Sequence, residues 1–122
     1  MFNAAYCYMN GDGVEQNRQE ALYWFIQAAK AGNARAIYFI ADFLMGGYDV
    51  VDTDPITAIK FYGTSARLDH PASLHNLGAL LYNGKDVSKD KTMGYQLIKK
   101  AAELGYEPAI SSLSQIAPQK NN

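Results

Sequence analysis

The sequence holds 122 residues, a length that suits one domain with a continuous core. Apolar residues make up 48% and charged residues 19%, a balance typical of a folded chain, and no apolar run is long enough to span a bilayer. Eleven Lys and Arg against 12 Asp and Glu give a formal charge of -1, which excludes the strong positive field of a nucleic-acid or membrane-surface binder.

Segments with a helical hydrophobic period follow one another along the chain, and no alternating strand pattern persists. We predict seven α-helices, at residues 2–10, 17–31, 34–46, 55–68, 71–83, 91–104 and 108–117. The turn at residues 11–14 recurs at residues 84–87, with a weaker copy between them, so the helices pair with a period of about 36 residues. The predicted fold is therefore all-α, a right-handed α–α superhelix (solenoid) of about three and a half helix-turn-helix repeats.

We expect a single domain, 1–122, divided approximately into repeat units 1–33, 34–70 and 71–106, a terminal helix at 107–117 and a polar tail at 118–122. Equivalent positions of the units carry helix signals. Three candidate N-caps start the second helices: Asn17, Asp54 and Asp90. Three residues suited to a left-handed backbone end them: Gly32, Asp69 and Gly105.

Small residues recur at two further positions, where we expect helices of adjacent repeats to approach closely: Ala21, Ala58 and Gly94, and Ala28, Ser65 and Ala101. Large residues recur at a third position and are predicted to pack between repeats as core: Trp24, Phe61 and Leu97.

These motifs resemble the Sel-one-like repeat, whose pattern joins an Ala-x-x-x-Leu-Gly helix, a Gly-x-Gly-Val turn, Asp-x-x-x-Ala-x-x-Trp and Lys-Ala-Ala-x-x-Gly. The matching residues include Gly11, Gly13, Val14, Ala21, Trp24, Ala28 and Gly32, and then Leu77, Gly78, Gly84, Val87, Asp90, Ala101 and Gly105. The chain departs from the pattern at Asp86, Gly94 and residues 63–65.

The resemblance covers nearly the whole chain and implies a superhelix related to tetratricopeptide repeats. Members of the family act as adaptors, assembly factors and signalling scaffolds, and some as bacterial toxin-immunity or host-interaction proteins, and the resemblance implies no shared catalytic residue. We therefore predict a protein-interaction module without enzymatic activity or a cofactor, whose partner is a protein or peptide of unknown identity.

In such a superhelix the first helix of each pair lines the concave side, so its variable residues are the candidate partner-binding residues. They are Tyr6, Met9 and Asn10 in the first repeat, Arg35, Tyr38, Asp42 and Met45 in the second, His75 and Tyr82 in the third, and Ser111 and Gln115 in the terminal helix. Tyrosine and methionine offer apolar area, and Arg35 with Asp42 could fix the register of a partner through charge-assisted hydrogen bonds. The alternative is an ordinary solvated surface.

Two other functional classes stay open. A hydrolase would need a nucleophile and a base, for which Cys7 with His75 is the best available pair, but Cys7 occupies a core-like position. A purely structural fragment of a longer solenoid would bind nothing. His70 and His75 do not share a helix face, so no metal site is expected. The basic bias of the third repeat is interrupted by acids and is read as a solvated helix surface. No signal peptide is visible, and the compartment is left undetermined.

Overall fold

The computed structural model describes residues 2–46, 48 and 50–116. Within these residues it contains seven α-helices and no strand. The helices are α1 Phe2–Asn10, α2 Arg18–Lys30, α3 Ala34–Gly46, α4 Pro55–Arg67, α5 Pro71–Asn83, α6 Lys91–Glu103 and α7 Glu107–Ile116. The all-α prediction is confirmed, and every helix lies within one residue of its predicted bounds. Residue 117 and the predicted tail at 118–122 lie outside the described residues.

The chain divides into two compact units, residues 1–64 and residues 65–122, and the division falls inside α4. The core of the first unit combines small residues with aromatic rings. Ala21, Phe25 and Phe43 are completely buried, and the ring of Phe25 stacks on that of Phe39 with centroids 4.6 Å apart. Trp24 and Phe61, predicted as core, pack against this cluster and are partly buried. Since α1, α2 and α3 all contribute to the cluster, it fixes the surface that α1 and α3 present.

The core of the second unit is smaller and mainly aliphatic. Leu74, Ile98 and Ala101 are buried, at 2%, 3% and 0% exposure. Leu97 packs against them from its partly buried position, as predicted. Burying aliphatic side chains stabilises a fold by about 1.5–3 kcal/mol each, so this cluster is what holds α5, α6 and α7 together.

The second helices begin where the sequence predicted. Asn17 accepts a hydrogen bond from the backbone N–H of Glu20 at 3.1 Å, and Asp90 accepts one from Met93 at 3.0 Å. Asp54 accepts one from Thr57 in the same way, at 3.2 Å. Each cap satisfies a backbone donor that the first turn leaves without a partner.

The same helices end on a left-handed residue. The φ angle is +90° at Gly32 and +89° at Gly105, while Asp69 takes the equivalent position with φ at +63°. In the first case the N–H of Gly32 bonds to the carbonyl of Ala29, closing the last turn. The predicted helix ends are therefore confirmed, including the unfavourable use of a non-glycine residue at Asp69.

The predicted small residues are all buried, and at Gly94 two helices approach closely, but the neighbouring helix is not the one expected. A Cβ atom on Gly94 would lie 2.6 Å from the carbonyl oxygen of Gly78, in α5. Because α5 and α6 belong to the same repeat, the expectation of an inter-repeat contact is wrong at Gly94. The backbones of one helix pair meet there, and a methyl group at either glycine would separate them.

Candidate functional site

The first unit presents an aromatic and cationic surface built from α1 and α3, which we call the α1–α3 face and define as Phe2, Tyr6, Arg35, Tyr38 and Phe39. The Tyr6 ring is 46% exposed and lies 6.2 Å from the Phe39 ring. The exposed Arg35 guanidinium lies 5.1 Å from the centre of the Phe2 ring. Tyr38 extends the face, because its ring contacts that of Phe39 with the ring centres 5.3 Å apart. The structure thus brings together three of the predicted binding residues.

Asp42, one turn beyond Tyr38 in α3, is held by tyrosine hydroxyls. The Tyr62 hydroxyl donates to the Asp42 Oδ1 atom at 2.5 Å, and the Tyr38 hydroxyl also donates to this carboxylate. Burial raises the pKa of Asp42 above its ordinary value, although the two hydrogen bonds act in the opposite direction. Asp42 therefore orients Tyr38, and its carboxylate is engaged within the protein.

The remaining predicted residues of the first unit, Met9, Asn10 and Met45, differ in how far they are buried. Met9 is partly buried and packs against the aromatic core, so part of its apolar area is already used within the fold. Met45 is also partly buried, whereas Asn10 is exposed at the end of α1.

In the second unit, His75 joins α5 to α7. Its Nε2 atom lies 2.9 Å from the Ser112 hydroxyl oxygen, and its ring centre lies 5.7 Å from that of Tyr106. Burial lowers the pKa of His75, so the neutral imidazole is favoured. Ser111 and Gln115 are exposed on α7. Sequence reasoning missed Ser112 because it identified first-helix surface positions but could not predict this contact partner.

Tyr82, the last predicted residue, lines a cleft of about 380 Å³ within the second unit. Five polar side chains of α6 form most of its wall: Lys91, Thr92, Tyr95, Gln96 and Lys99. The Lys91 ammonium nitrogen lies 5.4 Å from the centre of the Tyr82 ring, and Ile116 adds an apolar contact surface from α7. Sequence reasoning treated the lysines as solvated surface, since a cleft made by three helices leaves no local pattern.

A groove of about 580 Å³ that is partly open to solvent lies within the first unit and is lined almost entirely by apolar groups. Its walls include Leu22, Ile26, Ile37, Phe43 and Phe61.

The residue pair proposed for hydrolysis is not assembled within either unit. Cys7 belongs to the first unit, where it is partly buried, and His75 belongs to the second. The hydroxyl that lies within hydrogen-bond distance of the His75 ring is that of Ser112. In residues 2–46, 48 and 50–116, no group of three or more His, Cys, Asp and Glu residues is arranged to hold a metal ion. No helix among these residues combines the length and apolar character needed to cross a membrane.

Helix pairs that repeat along the chain define a helical-repeat protein. The chain belongs to the Sel1 repeat family, whose profile matches residues 1–33, 34–70 and 71–106. The resemblance inferred from the sequence is thereby confirmed, and with it the solenoid fold class. Sel1 repeats are generally protein–protein interaction modules and non-enzymatic scaffolds.

Among curated proteins, the chain is similar to chitin synthase regulatory factor 2 of Schizosaccharomyces pombe, with 31% identity over 86 residues. That match covers 68% of this chain and 17% of the yeast protein. The chain therefore spans about a sixth of the length of this curated relative.

Solved structures share the fold. A Sel1 repeat protein from Oxalobacter formigenes matches 93% of this chain and 46% of its own, with a TM-score of 0.88 and 27% identity. The protein c5321, a protective antigen present in uropathogenic Escherichia coli strains, matches 98% of this chain and 25% of its own, with a TM-score of 0.87 and 24% identity. Cysteine-rich protein B of Helicobacter pylori matches 91% and 90%, with a TM-score of 0.75 and 22% identity. The last two likenesses concern the fold alone.

Proposed function

We propose that this chain binds a partner protein or peptide through the first-helix side chains, with the α1–α3 face as the principal contact surface in the first unit. The observation that supports this most is that the half-exposed Tyr6 ring and the exposed Arg35 guanidinium both lie against the Phe2 ring. Tyrosine and arginine are enriched in protein interfaces because they combine large contact area with directional hydrogen bonding. The fixed rings of Phe2 and Phe39 reduce the entropy cost of ordering these two side chains on binding.

The proposal assigns different tasks to the side chains of this face. Tyr6 and Tyr38 supply apolar area, while Arg35 selects an acidic or carbonyl group on the partner. Asp42 acts as a positioning residue, because it fixes the Tyr38 hydroxyl from inside. In the second unit, the proposal includes the exposed Ser111 and Gln115, together with His75 and Tyr82.

We further propose that the role is regulatory. The name of the similar yeast protein, a chitin synthase regulatory factor, supports this class, and toxin immunity is a narrower form of it. The whole activity and the partner of the yeast protein are not carried over, since the match spans only 17% of that protein.

The experiment is a comparison of partner capture by the wild-type chain and by Tyr6→Ala and Arg35→Ala variants, followed by affinity measurement with the captured protein. We expect each substitution to weaken binding at least about tenfold, the equivalent of about 1.4 kcal/mol. Lys60→Ala is the matched control, because Lys60 is an exposed cation on α4. Normal affinity of both variants, with unchanged melting temperatures, would show that the α1–α3 face is not the contact surface.

We propose no catalytic activity. A Ser112→Ala variant tests this directly, because Ser112 and His75 form the hydroxyl–imidazole pair in the second unit. Ester turnover by the wild-type chain that disappears in Ser112→Ala would establish a hydrolase instead.

A further inference from the structure

The cleft of the second unit has the chemistry of an anion-binding surface. Lys91 and Lys99 contribute ammonium groups, and Tyr95 contributes a phenol hydroxyl. Thr92 and Gln96 add neutral hydrogen-bond donors, and none of the lining residues that the structure describes carries a carboxylate. A group of donors around a cleft of about 380 Å³ favours a negatively charged ligand.

Two other lysines of the same unit are paired with carboxylates. Lys100 forms an ion pair with Asp69 at 2.7 Å, and Lys85 lies 3.9 Å from Asp86. Among the described residues, Lys91 and Lys99 have no carboxylate within ion-pair distance. Lys91 lies instead over the Tyr82 ring, which leaves its positive charge uncompensated by an acid.

The spacing of these side chains defines a linear site. Lys91, Tyr95 and Lys99 are four residues apart on α6 and so lie along one face of the helix. The two lysines are separated by about 12 Å along the helix axis. In an extended peptide, two side chains four positions apart are separated by about 13 Å and point to the same side. The side chain midway between them points to that side as well.

We propose that the cleft binds an extended acidic peptide segment of the form acidic-x-apolar-x-acidic. The two carboxylates pair with Lys91 and Lys99, and the central apolar side chain packs between Tyr82, Tyr95 and Ile116. This inference rests on the proposed function and adds the chemistry of the partner to it. Tyr82 was identified from the sequence as a binding residue, whereas the α6 residues extend the site onto a second helix of the same repeat.

Single-stranded nucleic acid is the competing ligand, because it also combines negative charge with stacking. The described lining of the cleft contributes two cations, Lys91 and Lys99, whereas affinity for nucleic acid comes mainly from neutralising many backbone phosphates. The chain as a whole carries a formal charge of -1 and supplies no wider positive field. The electrostatics therefore favour the peptide.

The test measures fluorescence anisotropy of a labelled peptide containing Glu-Ser-Leu-Ser-Glu with the full chain. We expect saturable binding below 1 mM, weakened at least about tenfold by Lys91→Ala or Lys99→Ala and by replacing both Glu residues of the peptide with Gln. Lys89→Ala removes an exposed charge of the same unit outside the cleft lining and should leave affinity unchanged. Binding should also weaken at 0.5 M salt, where exposed charges are screened.

Several results would overturn the inference. They are absence of saturable binding, equal affinity for the Glu and Gln peptides, normal affinity of both lysine variants, and tighter binding of a single-stranded oligonucleotide than of the peptide. Partner capture that still depends on Tyr6 would then leave the proposed function standing. Loss of peptide binding in a variant counts only where the melting temperature of that variant matches the wild type.

Discussion

The hydroxyl groups of Ser65 and Ser73 share a hydrogen bond of 2.7 Å between two completely buried side chains. Ser65 lies near the end of α4 and Ser73 in the first turn of α5. The equivalent positions of the other repeats carry pairs of buried alanines: Ala28 with Ala36, and Ala101 with Ala109. A polar pair therefore stands where the repeat otherwise uses two methyl groups, and each hydroxyl is compensated by the other.

We predict that Ser65→Ala or Ser73→Ala alone destabilises the protein, while the double substitution has much less effect. Each single change removes the hydrogen bond between the two hydroxyls and leaves one hydroxyl where the other repeats have only methyl groups, which costs about 0.5–1.5 kcal/mol. The double change restores the alanine pair of the other repeats. Urea denaturation of the four proteins measures the coupling. Additive losses in the double variant would show that the two hydroxyls do not depend on each other.

The fold was predictable to about one residue at the helix ends because its signals are local. Asn17 and Asp90 cap helices through the residue three positions later, and Gly105 ends a helix within its own turn. The contact between Gly94 and Gly78 was not predictable in the same way. The sequence showed that position 94 must be small, but periodicity alone does not specify which neighbouring helix imposes the limit.

We predict that Gly94→Ala destabilises the protein by at least about 2 kcal/mol, in the upper part of the usual range for overpacking. In an exposed helix this change would stabilise by up to about 1 kcal/mol, because alanine has the higher helix propensity. Here the added Cβ would lie 2.6 Å from the Gly78 carbonyl oxygen and 2.7 Å from the Tyr82 backbone nitrogen. Met93→Ala, at a 45% exposed neighbour, is the control. Thermal unfolding distinguishes the two, and a raised melting temperature for Gly94→Ala would contradict the close approach.

Substitutions of Asp69 can distinguish the contribution of the backbone conformation to stability from that of an ion pair. Its φ angle is +63°, and its carboxylate lies 2.7 Å from the Lys100 ammonium group. Asp69→Asn keeps a residue that tolerates the left-handed region but removes the charge, so we predict a loss of at most about 1 kcal/mol for this exposed pair. Asp69→Ala removes both features and should cost about 1–2 kcal/mol more.

Chemical denaturation at low and high salt checks the Asp69 prediction. High salt should remove the difference in unfolding free energy between the wild type and Asp69→Asn, because it screens an exposed ion pair. The difference between Asp69→Asn and Asp69→Ala should persist, because it comes from the backbone conformation. Equal stabilities for the two variants would mean that the positive φ angle carries no strain.

The candidate site was less predictable than the fold because its residues are joined by contacts between distant segments. The sequence placed Tyr38 and Asp42 on one helix face, but Tyr62, which donates to Asp42, comes from α4. Lys99 was visible as a charge, yet its cleft depends on Tyr82 in α5 and Ile116 in α7. Such juxtapositions follow from packing and leave no spacing rule in the chain.

Asp42 should give the first unit a characteristic dependence on pH. Burial raises the pKa of Asp42 in the folded state above the ordinary value of 3.8 that applies when the chain unfolds. Between these two pKa values the folded state holds more protons than the unfolded state. Stability contributed by this group is therefore present below the ordinary pKa and is lost as the pH rises toward the folded value. This is the opposite of the behaviour of Asp54, whose pKa is lowered by its bonds to Thr57.

We predict that the difference in unfolding free energy between the wild type and Asp42→Asn falls with rising pH in that window, by at most about 1.4 kcal/mol per pH unit, and is constant above it. Taking the difference removes the titration of the other carboxylates.

Tyr62→Phe provides a second test, because the Tyr62 hydroxyl lowers the pKa of Asp42 by bonding to its charged form. Its loss should raise that pKa further and extend the window to higher pH. Urea denaturation from pH 3.5 to pH 7 measures both effects, and a pH-independent difference between the wild type and Asp42→Asn would show that Asp42 titrates alike in the folded and unfolded chain.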